Sequence, residues 1–414
     1  MLNRKTVFFF CYMLTIAIFL ITIETVQASY YVAPNGSDES EGTYSSPWQS
    51  IQYAVNRAEP GDVIFVREGT YKELVVISNK EAADGQWITI KNFQNETPII
   101  DAEGLEITPK QRAGFEIKDS KGIRIEGFEI RNVKADSQES FPAGILVRGH
   151  NENIDITENN IHHIANYAKK GNAHGIIVYG NDPQPIQDIR ITNNKLSDLT
   201  LGRSESLTLS GNIENFVIDK NILTNNNNIG IDAAGRYGAC DRDGCIDYAR
   251  NGVISNNLVS YMSSANNPAY EGSGSSAGIY IDGAQNIVVE KNHVINNDFG
   301  ISVSSEEEGF SAKNIVVRNN FVSKNTKAGL ILGGASIDNG GAENILIIAN
   351  KFTFNDRSNK GYREVTIQNH TRNIEFSSNT YLRCSSKEHM NISKKVTTDN
   401  RFKNESVFST ILCK

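Results

Sequence analysis

One short pattern recurs through more than half of the chain and limits the folds open to it. It runs Ile154-Asp-Ile-Thr-Glu-Asn159, Ile189-Arg-Ile-Thr-Asn-Asn194, Phe216-Val-Ile-Asp-Lys-Asn221 and Gly252-Val-Ile-Ser-Asn-Asn257. It continues as Ile287-Val-Val-Glu-Lys-Asn292, Ile315-Val-Val-Arg-Asn-Asn320, Ile345-Leu-Ile-Ile-Ala-Asn350 and Ile374-Glu-Phe-Ser-Ser-Asn379. Successive asparagines lie 35, 27, 36, 35, 28, 30 and 29 residues apart. The apolar residues alternate with period two, so each segment is a strand with one buried face, and the spacing leaves room for two or three strands per repeat. β-Branched content and period exclude helical repeats of similar length. An asparagine at the end of the strand suits a corner, because it tolerates the left-handed region and can stack on its neighbours as a hydrogen-bonded ladder. The expected architecture is all-β: a right-handed parallel β-helix of roughly ten coils, ~45 to 50 Å long.

A companion strand in each repeat stacks into an apolar column: Phe115, Ile117; Ile145, Val147; Ile176, Val178; Leu207, Leu209; Ile231, Ala233; Ile279, Ile281; Ile301, Val303; Leu330, Leu332; Val365, Ile367. The residues between and after them therefore face outward from one continuous sheet. Across the middle coils that face carries Tyr179, Ser210, Asp232, Tyr280, Asp282, Ser302 and Ser304. Longer insertions, 234–251 and 261–277, border the strands of Asp232 and Asp282, and repeat proteins place such insertions where they bind.

The chain opens with Arg4 and Lys5, an apolar run to Ile23, and Val26-Gln27-Ala28. This reads as a secretory signal peptide over 1–28, with an uncleaved anchor as the alternative, and the protein is expected outside the cytoplasm, free of membrane once cleaved, and monomeric. No other stretch is apolar for long enough to span a bilayer. Cys240, Cys245, Cys384 and Cys413 remain in the mature chain, paired by proximity as Cys240 with Cys245 and Cys384 with Cys413. Zinc is the rival reading, without a Cys-x-x-Cys or a His pair beside them. The formal charge of -7 argues against a general nucleic-acid binder but not against a local groove for an anionic polymer. An N-terminal amphipathic helix around 47–55, a first strand at 61–66 and a polar C-terminal cover over 384–414 are expected to close the ends of a β-helix domain spanning 29–383.

Three segments carry a family resemblance: Pro47-Trp48-Gln-Ser-Ile-Gln-Tyr-Ala-Val-Asn-Arg-Ala58, Pro60-Gly-Asp-Val-Ile-Phe-Val-Arg-Glu-Gly-Thr-Tyr71, and Ile88-Thr-Ile-Lys-Asn92 with Pro98-Ile-Ile-Asp101. Together they resemble the opening of secreted pectate-lyase-like proteins, most closely polysaccharide lyase family 9. The resemblance implies a polysaccharide along the outer sheet of the middle coils, calcium held by an aspartate cluster, and a lysine base. The adjacent Asp-Asp pair and the strand lysine of the calcium-dependent enzymes are missing here, and Lys327 is a distant substitute.

Eliminating across a uronic acid needs its carboxylate neutralised and a base near neutral pKa, or a Tyr or Arg held deprotonated. The candidates are Asp232, Asp282 and Asp247 as Ca²⁺ ligands, and Asp232, Asp282, Arg236, Tyr280 and Tyr270 as catalytic groups. His174, Glu205, Tyr179 and Arg250 are the candidate substrate contacts. Glu306-Glu-Glu308 reads as a charged turn. The leading expectation is thus a lyase acting on an anionic polysaccharide. If Asp232 and Asp282 sat one strand spacing apart, ~4.8 Å, they would instead suit a retaining glycosidase. A non-catalytic carbohydrate-binding β-helix is the third reading.

Overall fold

A computed structural model describes residues 28–83, 85–108, 110–383, 388–393 and 401–409. Residues 1–27 of the expected signal, and the expected Cys384–Cys413 pair, lie outside them. The chain winds into three long parallel sheets of 13, 12 and 11 strands. A typical coil runs Glu152–Thr157 in the first sheet, Asn160–His162 in the second and His174–Gly180 in the third, before re-entering the first at Ile186–Thr192. Every strand pair within these three sheets is parallel, as the period-two repeats require of a right-handed β-helix. The sheets hold about twelve coils, ~58 Å at ~4.8 Å each, so the rod is longer than expected. The early coils, such as Val63–Val66 on Ile88–Asn92, lack the asparagine mark by which the repeats were counted.

The inward column of the third sheet is as the alternation predicts. Ile145 pairs with Phe115 and Ile176, and Ile231 with Leu207 and Ile279, and all of these side chains are buried to 0% exposure. Each such side chain stabilises the rod by ~1.5–3 kcal/mol, and stacking like on like fixes the register of every strand, since a one-residue slip would turn the column outward.

The asparagines do form a ladder. Asn159 N–H and Nδ2 both donate to Asn194 Oδ1 at 3.0 Å, and the same arrangement continues through Asn221, Asn257, Asn292, Asn320 and Asn350 to Asn379. The left-handed conformation sits one residue earlier, at positions that include Glu158, Lys220, Lys291 and Ala349. Asparagine is therefore required for its buried amide, which satisfies backbone groups at the corner, and not for its backbone tolerance.

At the N-terminal end the helix is Ile51–Arg57, capped by Ser50, whose hydroxyl accepts from Tyr53 N–H. The first strand is Ser29–Val32, which pairs with Val63–Val66, so 61–66 supplies the second strand and not the first. At the other end, Met390–Ile392, Arg401–Lys403 and Ser406–Ser409 add one more strand to each sheet. The described part of the expected irregular cover is a last, shorter coil. Glu405 terminates the ladder there, accepting from Asn379 N–H at 3.2 Å and from Tyr381 Oη at 2.6 Å. Among the described residues no helix is long and apolar enough to cross a membrane.

Candidate active site

The outer face of the third sheet forms the floor of a groove of about 790 Å³. One outward row runs Glu116, Leu146, Ile177, Thr208, Asp232, Tyr280, Ser302, in strict register from coil to coil. The next row, two residues further along each strand, runs Lys118, Arg148, Tyr179, Ser210, Ala234. Asp282 stands in this second row, two residues beyond the Tyr280 that faces Asp232. Asp232 and Asp282 are therefore diagonal neighbours. One spacing of ~4.8 Å across the sheet and two residues of ~3.3 Å along it put their Cα atoms ~8 Å apart, wider than the single strand spacing expected.

Both carboxyl groups are buried, at 4% and 2% exposure. Asp232 Oδ1 is buried with no hydrogen-bond partner. Burial first, then the charges of Glu205, Asp282 and Glu306, hold the Asp232 carboxyl well above the usual carboxylate range. Asp282 is supported on both oxygens: the Tyr237 hydroxyl donates to Oδ2, and Glu306 N–H donates to Oδ1 at 3.0 Å. Burial and the neighbouring Glu306 still push Asp282 up to about 8. Glu205 also lines the groove, and desolvation pushes it up to about 7. Carboxyls packed this closely exchange and share protons, so at neutral pH the cluster keeps at least one.

A buried chain of hydrogen bonds adjoins this cluster. Thr208 Oγ1 donates to Glu205 Oε2 at 3.0 Å and so accepts from His174 Nδ1–H at 2.9 Å. Burial lowers the His174 pKa to about 4, which keeps the imidazole neutral.

Of the residues expected at the site, the groove gathers Asp232, Asp282, Tyr280, Tyr270, His174, Glu205 and Tyr179. Three others lie elsewhere. Arg236 is exposed at the start of its insertion with its guanidinium 4.8 Å from the Phe310 ring centroid, so it is no clamp for a sugar carboxylate. Arg250 belongs to the first sheet, where it pairs with Glu214 at 2.8 Å and donates to Asn212 at 2.9 Å. Asp247 spends its carboxylate on the N–H groups of Gly238 (2.8 Å) and Cys240 (3.2 Å), bracing the loop closed by the Cys240–Cys245 disulfide. The two tyrosines are unsuited to act as bases. Burial raises the pKa of Tyr280 well above the ordinary value, with Asp282 adding to it, and burial likewise raises Tyr270, whose oxygen accepts from Asn228 Nδ2 at 3.1 Å. Lys327 lies against the rings of Phe299 and Tyr362, 4.8 and 5.5 Å from their centroids, and does not line the groove.

Several site residues carried no sequence signal of their own. Tyr237 comes from inside an insertion, and Glu306 from the supposed charged turn. Both are placed by the loops around Asp282. The position of Glu306, two residues past a strand of the stacked column, was the one available hint.

The trio expected to hold calcium is not brought together, because Asp247 is committed to its own loop and Asp282 already accepts two hydrogen bonds. Calcium takes ~6–8 oxygen ligands. Among the described residues no group of three or more His, Cys, Asp or Glu side chains is arranged to hold a metal. The residues do not fit a calcium centre.

Comparison with known proteins gives a consistent picture. The family model of the Pel9A-like right-handed β-helix region matches residues 30–182, and that of the right-handed β-helix region matches residues 143–352. Protein YwoF of Bacillus subtilis (strain 168) is 38% identical over 343 residues, covering 83% of this chain and 72% of that protein. Pectate lyase PEL9 of Emericella nidulans is 39% identical over 84 residues, 20% of each chain. Among solved structures, the lacto-N-biosidase of family GH136 from Eubacterium ramulus superposes with a TM-score of 0.65 at 14% identity, over 92% of this chain and 68% of that one, a likeness of fold.

Proposed function

The chain belongs to the pectate-lyase-like right-handed β-helix family, and from that premise we propose that it hydrolyses glycosidic bonds of a polysaccharide lying in the groove, with Asp232 as general acid and Asp282 as general base. The observation that carries this reading is the buried Asp232 carboxyl, its Oδ1 without a hydrogen-bond partner, among three further carboxyls. A group with one oxygen left without a donor, and several acids around it, is held above the usual carboxylate range and can keep a proton to give to a leaving oxygen. Asp282, with two donors aimed at it, is the member of the pair better able to give up its proton and, once ionised, to take one from water. The diagonal placement, ~8 Å between Cα atoms, leaves room for a water between the carboxyls, the arrangement an inverting hydrolase uses. The leading basic and apolar segment supports an extracytoplasmic setting.

A second reading, β-elimination on a uronic-acid polymer, is favoured by the match to a pectate lyase and by the arginines that line one end of the groove. At the carboxyl cluster itself it is disfavoured. A uronate placed ~4 Å from one ionised carboxylate is repelled by ~1 kcal/mol in bulk water and ~4 kcal/mol at an effective dielectric constant of ~20. The tyrosines there also hold their protons too tightly to serve as the base.

The test is incubation of the purified mature chain with neutral and uronic-acid polysaccharides, with calcium and with chelator. New reducing ends without ultraviolet absorbance, abolished in Asp232→Asn, are expected. Products that absorb as a conjugated double bond would replace hydrolysis by elimination, and binding without products would leave a lectin-like protein.

A further inference from the structure

The groove is charged differently at its two ends. Around Asp232 it carries Glu205, Asp232, Asp282 and Glu306, with Arg203 the cation among them. Toward the N-terminal end the sign reverses. There Arg112 and Arg148 line the groove beside one acid, Glu116, which is buried at 1% exposure and accepts from Arg148 Nε at 2.6 Å. Among the described residues at that end, two guanidiniums stand beside one carboxylate, a formal charge of +1. Arg112 is half-buried, and desolvation, with Arg148 beside it, lowers its pKa, whereas Glu116 raises it. Excess positive charge in partly dehydrated surroundings attracts a matching anion more strongly than an exposed lysine or arginine would.

The floor between these cations is apolar. Leu146 is 5% exposed and packs with Ile177 and Tyr179, and Phe141 rises beside them at 41% exposure. A flat apolar floor with an aromatic wall suits the C–H face of a pyranose ring, while the guanidiniums suit a carboxylate or other acidic substituent at its edge. The row of Arg148 reaches that of Ala234, beside the catalytic pair, after three coils, or ~14 Å along the axis, the length of a short run of sugar units.

Resting on the hydrolytic reading above, we infer that the substrate is a polysaccharide of mixed charge, whose acidic unit is held over Leu146 and Ile177 by Arg112 and Arg148 while the unit cleaved beside Asp232 and Asp282 is neutral. A fully acidic polymer would place charge against the carboxyl cluster, and a fully neutral one would leave the cationic end unused. The preferred chain therefore alternates, or bears acidic units at intervals on a neutral backbone.

Binding separates this inference from the chemistry. The Asp232→Asn protein is titrated with glucuronoxylan, hyaluronan and a rhamnogalacturonan backbone, each beside its carboxyl-reduced form, and with polygalacturonate as the fully acidic control. At least one mixed polymer is expected to bind about tenfold or more tightly than its reduced form, with an advantage that shrinks as salt is raised. Arg112→Gln should remove that advantage. Glu116→Gln, which keeps the shape and a hydrogen-bonding oxygen but raises the local charge by one, should enlarge it. Equal binding of every polymer and its reduced form, preference for polygalacturonate over all mixed polymers, or an unchanged advantage in folded Arg112→Gln would each overturn the inference. Turnover by Asp232→Asn would count against the proposed acid alone, since the comparison of charged and reduced polymers reads only the cationic end.

Discussion

Replacing Asp282 by Asn should make the protein more stable in alkali and nearly inactive at every pH. In the unfolded chain this carboxyl titrates near ~3.9, and in the folded protein burial and Glu306 push it up to about 8. Between those values the folded state binds the proton more tightly than the unfolded one. Its contribution is therefore largest below ~4, declines as pH rises, and levels off above about 8. At ~1.4 kcal/mol per pH unit the whole span amounts to ~6 kcal/mol as an upper bound, and sharing of the proton with Asp232 reduces it to about 2–3 kcal/mol. Asparagine does not titrate and keeps an oxygen for the Tyr237 hydroxyl or Glu306 N–H. At pH 9 the variant should then exceed the parent by ~2 kcal/mol, a rise of a few degrees in Tm for a chain this long, while at pH 4 the two should be close. Turnover should fall by ~10²–10⁴-fold throughout. Thermal melts by circular dichroism at the two pH values, with reducing-end assays alongside, measure both quantities. An equal Tm difference at pH 4 and pH 9 would refute the claim that burial raises the Asp282 carboxyl, and near-normal turnover would remove it from the machinery.

Other outcomes follow from the same structure. Asn257→Ala deletes four buried hydrogen bonds of the ladder, to Asn221 N–H and Nδ2, Ile218 O and Asn292 Oδ1, and should cost ~2–4 kcal/mol in a denaturant melt; unchanged stability would contradict the role given to the ladder. Non-reducing mass spectrometry should find Cys240 and Cys245 joined, and two free thiols there would refute the loop's disulfide. Lys327→Ala should leave turnover within about twofold, because its ammonium lies on Phe299 and Tyr362 outside the groove, whereas a loss of ~100-fold or more would restore a lysine base.

What was legible in the sequence is what a repeat can encode. The inward column of Phe115, Ile145, Ile176, Leu207, Ile231 and Ile279 was readable because each strand alternates and each coil repeats the alternation. Asp232 and Asp282 were readable as outward carboxylates for the same reason. Their diagonal offset was readable too, since Ile279 stacks on Ile231, but pairing by coil alone concealed it. Arg236 and Asp247 misled because an insertion has no period: nothing in its spelling says whether a side chain faces the groove, a ring or its own loop. Arg250 misled for a different reason, since it begins a strand of another sheet. Tyr237 and Glu306 escaped because they reach Asp282 through loop geometry that only tertiary packing fixes.

The β-helix also explains how so unfavourable a cluster of acids can persist. Each coil contributes separately to its inward column and its outward rows, so Thr208, Asp232 and Tyr280 can differ freely in character while Leu207, Ile231 and Ile279 keep the core unchanged. Elsewhere the same outward row holds Leu146 and Ile331, at 5% and 8% exposure, which carry no charge, and Glu116, which is paired with Arg148. The destabilisation from Asp232 and Asp282 is thus confined to two adjoining coils, which themselves keep their buried column and the ladder asparagines Asn221, Asn257 and Asn292. Register prevents relief by sliding, because a strand that moved its carboxylate toward water would also bring its isoleucines out. A rigid sheet that cannot yield is what holds the Asp232 carboxyl well above the usual carboxylate range, as the acid of the proposed hydrolysis requires.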